Sequence, residues 1–107
     1  MAGAQFAYLT GHIRIRDVDK WHDYLAQVDQ TVLTNGGEIL LRGLQSEVIA
    51  NPAKLDEGFE RLVVLRFADK SALDRWYASP DYARLKPLRE AAADVTVITY
   101  AGDDHKV

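Results

Sequence analysis

Glu60 to Gly102 reads ERLVVLRFADKSALDRWYASPDYARLKPLREAAADVTVITYAG, and this stretch decides the fold. It opens with the most continuously apolar run in the chain, within Phe59–Phe67, which marks a central, well-covered strand. It closes with a second strand, Asp94–Gly102, and a helical segment lies between them. Asp69 or Ser71 starts the helical part, with Ser71 and Asp74 at the spacing of a capping box. Leu73, Trp76 and Tyr77 share one face. Ser79-Pro80-Asp81 is then a fresh helix start: a serine cap, a proline at the first helical position and an acid in the first turn. The segment therefore reads as two helices, or one sharply kinked helix, with Ser79 as the new cap. Pro87 falls inside the second piece, where it removes a backbone hydrogen bond at ~3 kcal/mol and bends the helix over a curved sheet.

Working outward, Phe6–Ile15 alternates strictly. Ala7, Leu9, Gly11, Ile13 and Ile15 point one way; Phe6, Tyr8, Thr10, His12 and Arg14 point the other, as in a strand with two different faces. Asp17 caps a helix with Asp19 in its first turn, a favourable charge at an N-terminus. Val18, Trp21, Leu25, Val28 and Val32 form an apolar stripe that Tyr24 widens. Gly36-Gly37 ends this helix, because glycine accepts the left-handed conformation common past a C-terminus. Glu38–Ala50 reads as another strand, followed by the turn-rich NPAKLDEG, and the chain closes with the polar tail DDHKV.

The order is β-α-β-β-α-β. Two helices of this length cover one face of a four-stranded antiparallel sheet, so the expected fold is α+β and ferredoxin-like, a single domain over residues 1–107. Right-handed crossovers place the first and third strands at the centre. The other face, carrying Phe6, Tyr8, Thr10, His12 and Arg14, is too aromatic to stay wet and too polar for a monomer core. Such a mixed patch marks an interface, and the expectation is a two-fold homodimer through the open sheet face.

Composition bounds the chemistry. The chain is 107 residues long and 48% hydrophobic, enough for one core without covalent support. It has no cysteine, which excludes disulfides, thiolate catalysis and cysteine-held metals. The net charge of −3, from 13 basic and 16 acidic residues, gives no electrostatic footprint for nucleic acid. No run approaches the ~20 apolar residues of a membrane span, and MAGAQFAYLTGHIRIR is not patterned as a signal peptide. The expected location is the cytoplasm. His12, His22 and His105 lack metal-ligand spacing, and Gly36-Gly37 precedes a strand rather than opening a helix, so it is no phosphate loop. No metal and no cofactor are expected.

GGEILLRG, ERLVVLRF and WYASPDYARLKPLREAAADVTVITYAG together resemble the bacterial family called domain of unknown function 1330, of the dimeric α+β barrel superfamily. The resemblance runs from about Tyr8 to Gly102. Its most specific part is Tyr77, Ser79-Pro80 and Tyr82, followed by Leu88-Arg89. It implies the fold and the dimer. It implies no one activity, since the superfamily holds cofactor-free monooxygenases, muconolactone isomerase-like enzymes, haem-dependent enzymes and sensor-like stress proteins. Two positions depart from the family: Arg66 stands where an acid is frequent, and Leu44 where a second glycine is.

The candidate site follows from these residues. Trp76, Tyr77 and Tyr82 either fill a core under the kink or wall a pocket of the apolar kind that small molecules occupy. Arg42 interrupts an apolar strand and Arg89 lies on the bent helix. Each either binds a carboxylate or enolate oxygen, or pairs with an acid such as Glu60 or Glu90 or snorkels at a strand edge; for Arg61 the ordinary ion pair or the snorkelling is expected. His12 is either a base near neutral pH or a hydrogen-bonded interface residue. One expectation is a cofactor-free enzyme, monooxygenase- or isomerase-like, acting on a small apolar or aromatic carbonyl compound. It would use His12 and Arg42 for chemistry and Tyr8, Trp76, Tyr77, Tyr82 and Arg89 for binding. The alternative is a non-catalytic metabolite-binding or stress-associated protein.

Overall fold

The computed structural model describes residues 5–55 and 58–102. His105 and the polar tail lie outside the described residues. The elements are β1 (Ala7–Ile15), α1 (Val18–Thr34), β2 (Glu38–Leu44), β3 (Arg61–Phe67), α2 (Lys70–Tyr77), α3 (Pro80–Ala83), α4 (Lys86–Ala92) and β4 (Ala93–Ala101). The strands pair antiparallel in the order β2-β3-β1-β4, which puts β1 and β3 at the centre as expected. This is the ferredoxin-like split βαβ arrangement, with its second crossover made of three short helices.

Period-two alternation holds in β1. Ala7, Leu9, Gly11 and Ile13 are buried toward the helices, while Tyr8, Thr10 and His12 are part-buried on the open face. β2 ends at Leu44 rather than Ala50, and β3 starts at Arg61 rather than Phe59. After the Gln45 N–H donates to the Glu60 carbonyl at 2.7 Å, the chain leaves the sheet. Within β2 the register shifts between Ile39 and Leu41. A bulge of this kind reverses the faces of the residues that follow. It sets Arg42 opposite Val63, on the helix side, where strict alternation from Ile39 would have pointed it away.

Asp17 caps α1 by accepting from the Lys20 N–H at 3.1 Å. The buried stripe of α1 is Trp21, Tyr24, Val28, Thr31 and Val32. Val18, assigned to the stripe from spacing alone, is 57% exposed, because the stripe centres on Tyr24 rather than Leu25. Gly36 takes φ +82°, the left-handed turn after the helix. Gly37 serves a different need: a β-carbon there would come within 2.5 Å of Phe67 Cε2.

Asp69, not Ser71, caps α2, its carboxylate accepting from the Ala72 N–H at 2.8 Å. Ser79 caps α3 as expected, its Oγ accepting from the Tyr82 N–H at 3.2 Å. Pro87 does not bend a helix. It sits in the first turn of α4, where a missing N–H leaves no partner unsatisfied. Trp76, Phe67, Leu73 and Val32 are the largest fully buried side chains of the core between the two layers. Each is of the size whose burial stabilises by ~1.5–3 kcal/mol.

Candidate functional site

The interrupted helix layer gathers aromatic rings from successive pieces. Trp76 and Tyr82 lie 4.4 Å apart between ring centroids, and Tyr77 and Tyr82 5.3 Å apart. Beneath them is a cavity of about 250 Å³ between helices and sheet. Leu9, Gly11 and Val63 are among the residues of its floor, and Trp21, Val28 and Trp76 line it from the helix side. The question posed by the aromatic cluster has a divided answer. Trp76 and Tyr82 are both buried and both line the cavity, whereas Tyr77 is not part of its lining.

The polar groups of the cavity are few. The Tyr24 and Tyr82 hydroxyls are 2.9 Å apart. Arg89 Nη1 donates to the Tyr82 hydroxyl at 2.9 Å and to the Tyr77 hydroxyl at 3.2 Å. The Trp76 indole N–H is already used, donating to Thr31 Oγ1 at 3.0 Å, and that hydroxyl donates on to the Val28 carbonyl at 2.7 Å. A guanidinium only donates, so Tyr82 accepts from Arg89. The bond between Tyr82 and Tyr24 consumes one phenolic proton of the two. The pair therefore keeps one O–H to give away.

Burial works against the Arg89 charge, but its hydrogen bond to Tyr77 and the nearby Tyr82 hydroxyl outweigh it, and its pKa is pushed up. Burial, then the neighbouring Tyr82 hydroxyl, drives the Tyr24 pKa far above the ordinary phenol value, so Tyr24 holds its proton. Arg89 makes no ion pair with an acid among the described residues. Glu90, one of its two candidate acid partners, makes no ion pair with it, since adjacent residues on a helix do not face each other.

Arg42 differs. It grips Asp29 of α1 with both terminal nitrogens, Nη1 donating to Oδ2 at 2.9 Å and Nη2 to Oδ1. The Arg42 hydrogen bond holds the Asp29 carboxyl below its usual range against an opposing effect of burial. Both side chains are about two-fifths exposed, so this neutralised pair stands at the cavity's rim, together with exposed Arg61 and Leu44.

His12 and Tyr8 are not part of this constellation. Strand alternation puts them on the opposite sheet face, and the sheet stands between them and Arg89. His12 Nε2 is 3.3 Å from Thr10 Oγ1, and its ring centroid is 6.0 Å from that of Phe59. Tyr8 sits opposite Arg66, which binds Glu38 across β2 and β3 at 3.0 and 3.1 Å. Sequence reasoning missed Tyr24, Asp29 and Gly11 as members of the site. A phenol in the middle of an apolar helix stripe was the available signal for Tyr24.

These features define a ferredoxin-like α+β domain with a mainly apolar cavity, carrying a few hydrogen-bond donors, between its two layers. The chain belongs to the family described as Domain of unknown function (DUF1330), whose pattern matches residues 6–102. No curated protein is significantly similar to it in sequence. Among solved structures it resembles a protein of unknown function from Rhodopseudomonas palustris at 13% identity and TM-score 0.77, covering 94% of this chain and 85% of that one. A dimeric ferredoxin-like protein of unknown function from Jannaschia sp. matches at 17% identity and TM-score 0.71, covering 89% and 97%. SnoaB from Streptomyces nogalater, a cofactor-independent oxygenase, matches at 12% identity and TM-score 0.68, covering 95% and 97%. No helix among the described residues is long and apolar enough to cross a membrane.

Proposed function

We propose that the cavity binds a small apolar or aromatic molecule that presents an anionic or strongly polarised oxygen to Arg89 and the tyrosine hydroxyls. The observation that carries this reading is Arg89: a part-buried cation at an apolar cavity, met by phenols instead of a carboxylate. An unpaired cation in such surroundings gains most from a ligand oxygen that accepts its remaining N–H groups. The same donors would stabilise an enolate oxygen as charge develops on it, which supports a cofactor-free, oxygenase- or isomerase-like reaction. The likeness in fold to a cofactor-independent oxygenase agrees with that version.

One observation favours binding without turnover. Among the described residues the one carboxylate lining the cavity, Asp29, is held by Arg42 and is a weak base, and His12 is on the far side of the sheet. A substrate would then have to arrive already ionised or bring an acidic C–H.

The open sheet face supports pairing of two copies. Ile98 and Tyr100 of β4 are 39% and 50% exposed there, and Leu41 of β2 is 48% exposed. The structural neighbour from Jannaschia sp. is itself described as dimeric.

Calorimetric titration with benzoate tests the site. Arg89→Met should weaken binding by about ten- to a hundredfold, the range of a hydrogen bond to a charged group. Equal affinity in the variant would refute the reading. Deuterium exchange at the carbon next to the carbonyl of an added ketone, followed by NMR, separates catalysis from binding.

A further inference from the structure

We propose that the cavity is a single-ring site, sized for a monocyclic acid or enol, and that Gly11 sets this limit. The inference rests on the reading of the cavity given above and adds the size of the ligand and the residue that determines it. Benzene occupies an apolar cavity of about 150 Å³. In that proportion the 250 Å³ found here takes about ten non-hydrogen atoms, which is one ring and a short polar substituent.

Gly11 is what keeps the floor open. Its neighbours along the helix-facing row of β1 are Ala7, Leu9, Ile13 and Ile15, all with side chains. It pairs with Val63 of β3 and Val97 of β4, so it lies in the middle of the sheet under the cavity. Its backbone is not the reason for glycine, since Gly36 is the glycine that takes positive φ among the described residues. Space is the reason. A β-carbon at Gly11 would stand 2.9 Å from Val63 Cγ1 and 3.6 Å from Val95 Cγ1, and both valines also line the cavity. A methyl group here occupies the floor and drives Val63 upward, shortening the space from both positions.

The polar end sets the charge. Arg89 and one phenolic proton face the ligand, and the rim pair Arg42–Asp29 is self-neutralised. Exposed Arg61 at the mouth draws anions in. One anionic oxygen group on one ring meets these conditions.

The test is calorimetric titration of the full chain with benzoate, 2-naphthoate and anthracene-9-carboxylate, which carry one, two and three rings. Wild type should bind benzoate at least tenfold more tightly than 2-naphthoate, with no heat from the three-ring acid. Gly11→Ala should weaken benzoate by tenfold or more. Val63→Ala, which deepens the same floor, should raise 2-naphthoate affinity to the level of benzoate; this arm decides the matter if the Gly11 variant does not fold. Arg89-dependent binding of 2-naphthoate as tight as that of benzoate in wild type would overturn the size limit and leave the acid-binding reading intact. Failure of all three acids to bind, or equal binding by Arg89→Met, would overturn both.

Discussion

Tyr24→Phe should make the protein less stable at pH 8 and more stable at pH 12, with the two stability curves crossing between about pH 10.5 and 11. The hydroxyl of Tyr24 is buried, and burial first, then the Tyr82 hydroxyl, raises its pKa well above 10.0. In the unfolded chain the same phenol titrates near 10. Below pH 10 both states hold the proton and Tyr24 adds no pH dependence. Above it the unfolded state releases the proton while the folded state keeps it, so stability falls as pH rises, by ~1.4 kcal/mol per unit. By pH 12 the loss relative to neutral pH reaches ~2.7 kcal/mol, a large part of a typical 5–15 kcal/mol. The phenylalanine variant loses its bond to Tyr82, about 1 kcal/mol at neutral pH, but has no proton to release. Urea unfolding followed by tryptophan fluorescence measures both, since Trp21 and Trp76 are buried. Curves that stay parallel through pH 12 would show that Tyr24 ionises freely in the native state, and the argument that it remains a hydrogen donor would fail.

Ser79→Ala removes the acceptor for the Tyr82 N–H. It should cost ~1 kcal/mol, seen as a fall of ~4–8 °C in melting temperature; an unchanged melting temperature would mean that Pro80 alone starts α3. Ile98→Glu puts a charge in the middle of the open sheet face. Light scattering after size exclusion should then report half the mass of wild type, and an unaltered mass would move the interface elsewhere.

The fold was legible because its signals are local and repeated. Alternation over Phe6–Ile15, the apolar run in β3 and the two glycines after α1 each have a short-range cause. Ser79-Pro80-Asp81 likewise carries its own cap, and the helix starts there. The errors arose where a long-range partner decides. β2 stops at Leu44, where its pairing with β3 ends opposite Arg61 with one further bond from Gln45 to Glu60, and no propensity in SEVIA announces that. The shift between Ile39 and Leu41 is also invisible in composition, yet it turns Arg42 onto the helix side and into the reach of Asp29. Pro87 suits either a bend or a first turn, and the choice was made by the tertiary path of the chain.

Arg89 shows that part of the site was readable. On a helix an arginine meets residues three and four positions away. For Arg89 these are Leu85, Lys86, Ala92 and Ala93, with no acid among them. Glu90, next in sequence, leaves on a different face. The spacing alone therefore denies Arg89 a counter-ion on its own helix. Its charge has to be met from outside α4, and Tyr77 and Tyr82 meet it with neutral oxygens. A phenol oxygen stabilises a cation less than a carboxylate does, because it carries no formal negative charge to attract the guanidinium. The difference between the two is the free energy an incoming anion can recover. Among the described residues no acid pairs with Arg89, which is why we propose that an anion completes it from the 250 Å³ cavity it lines.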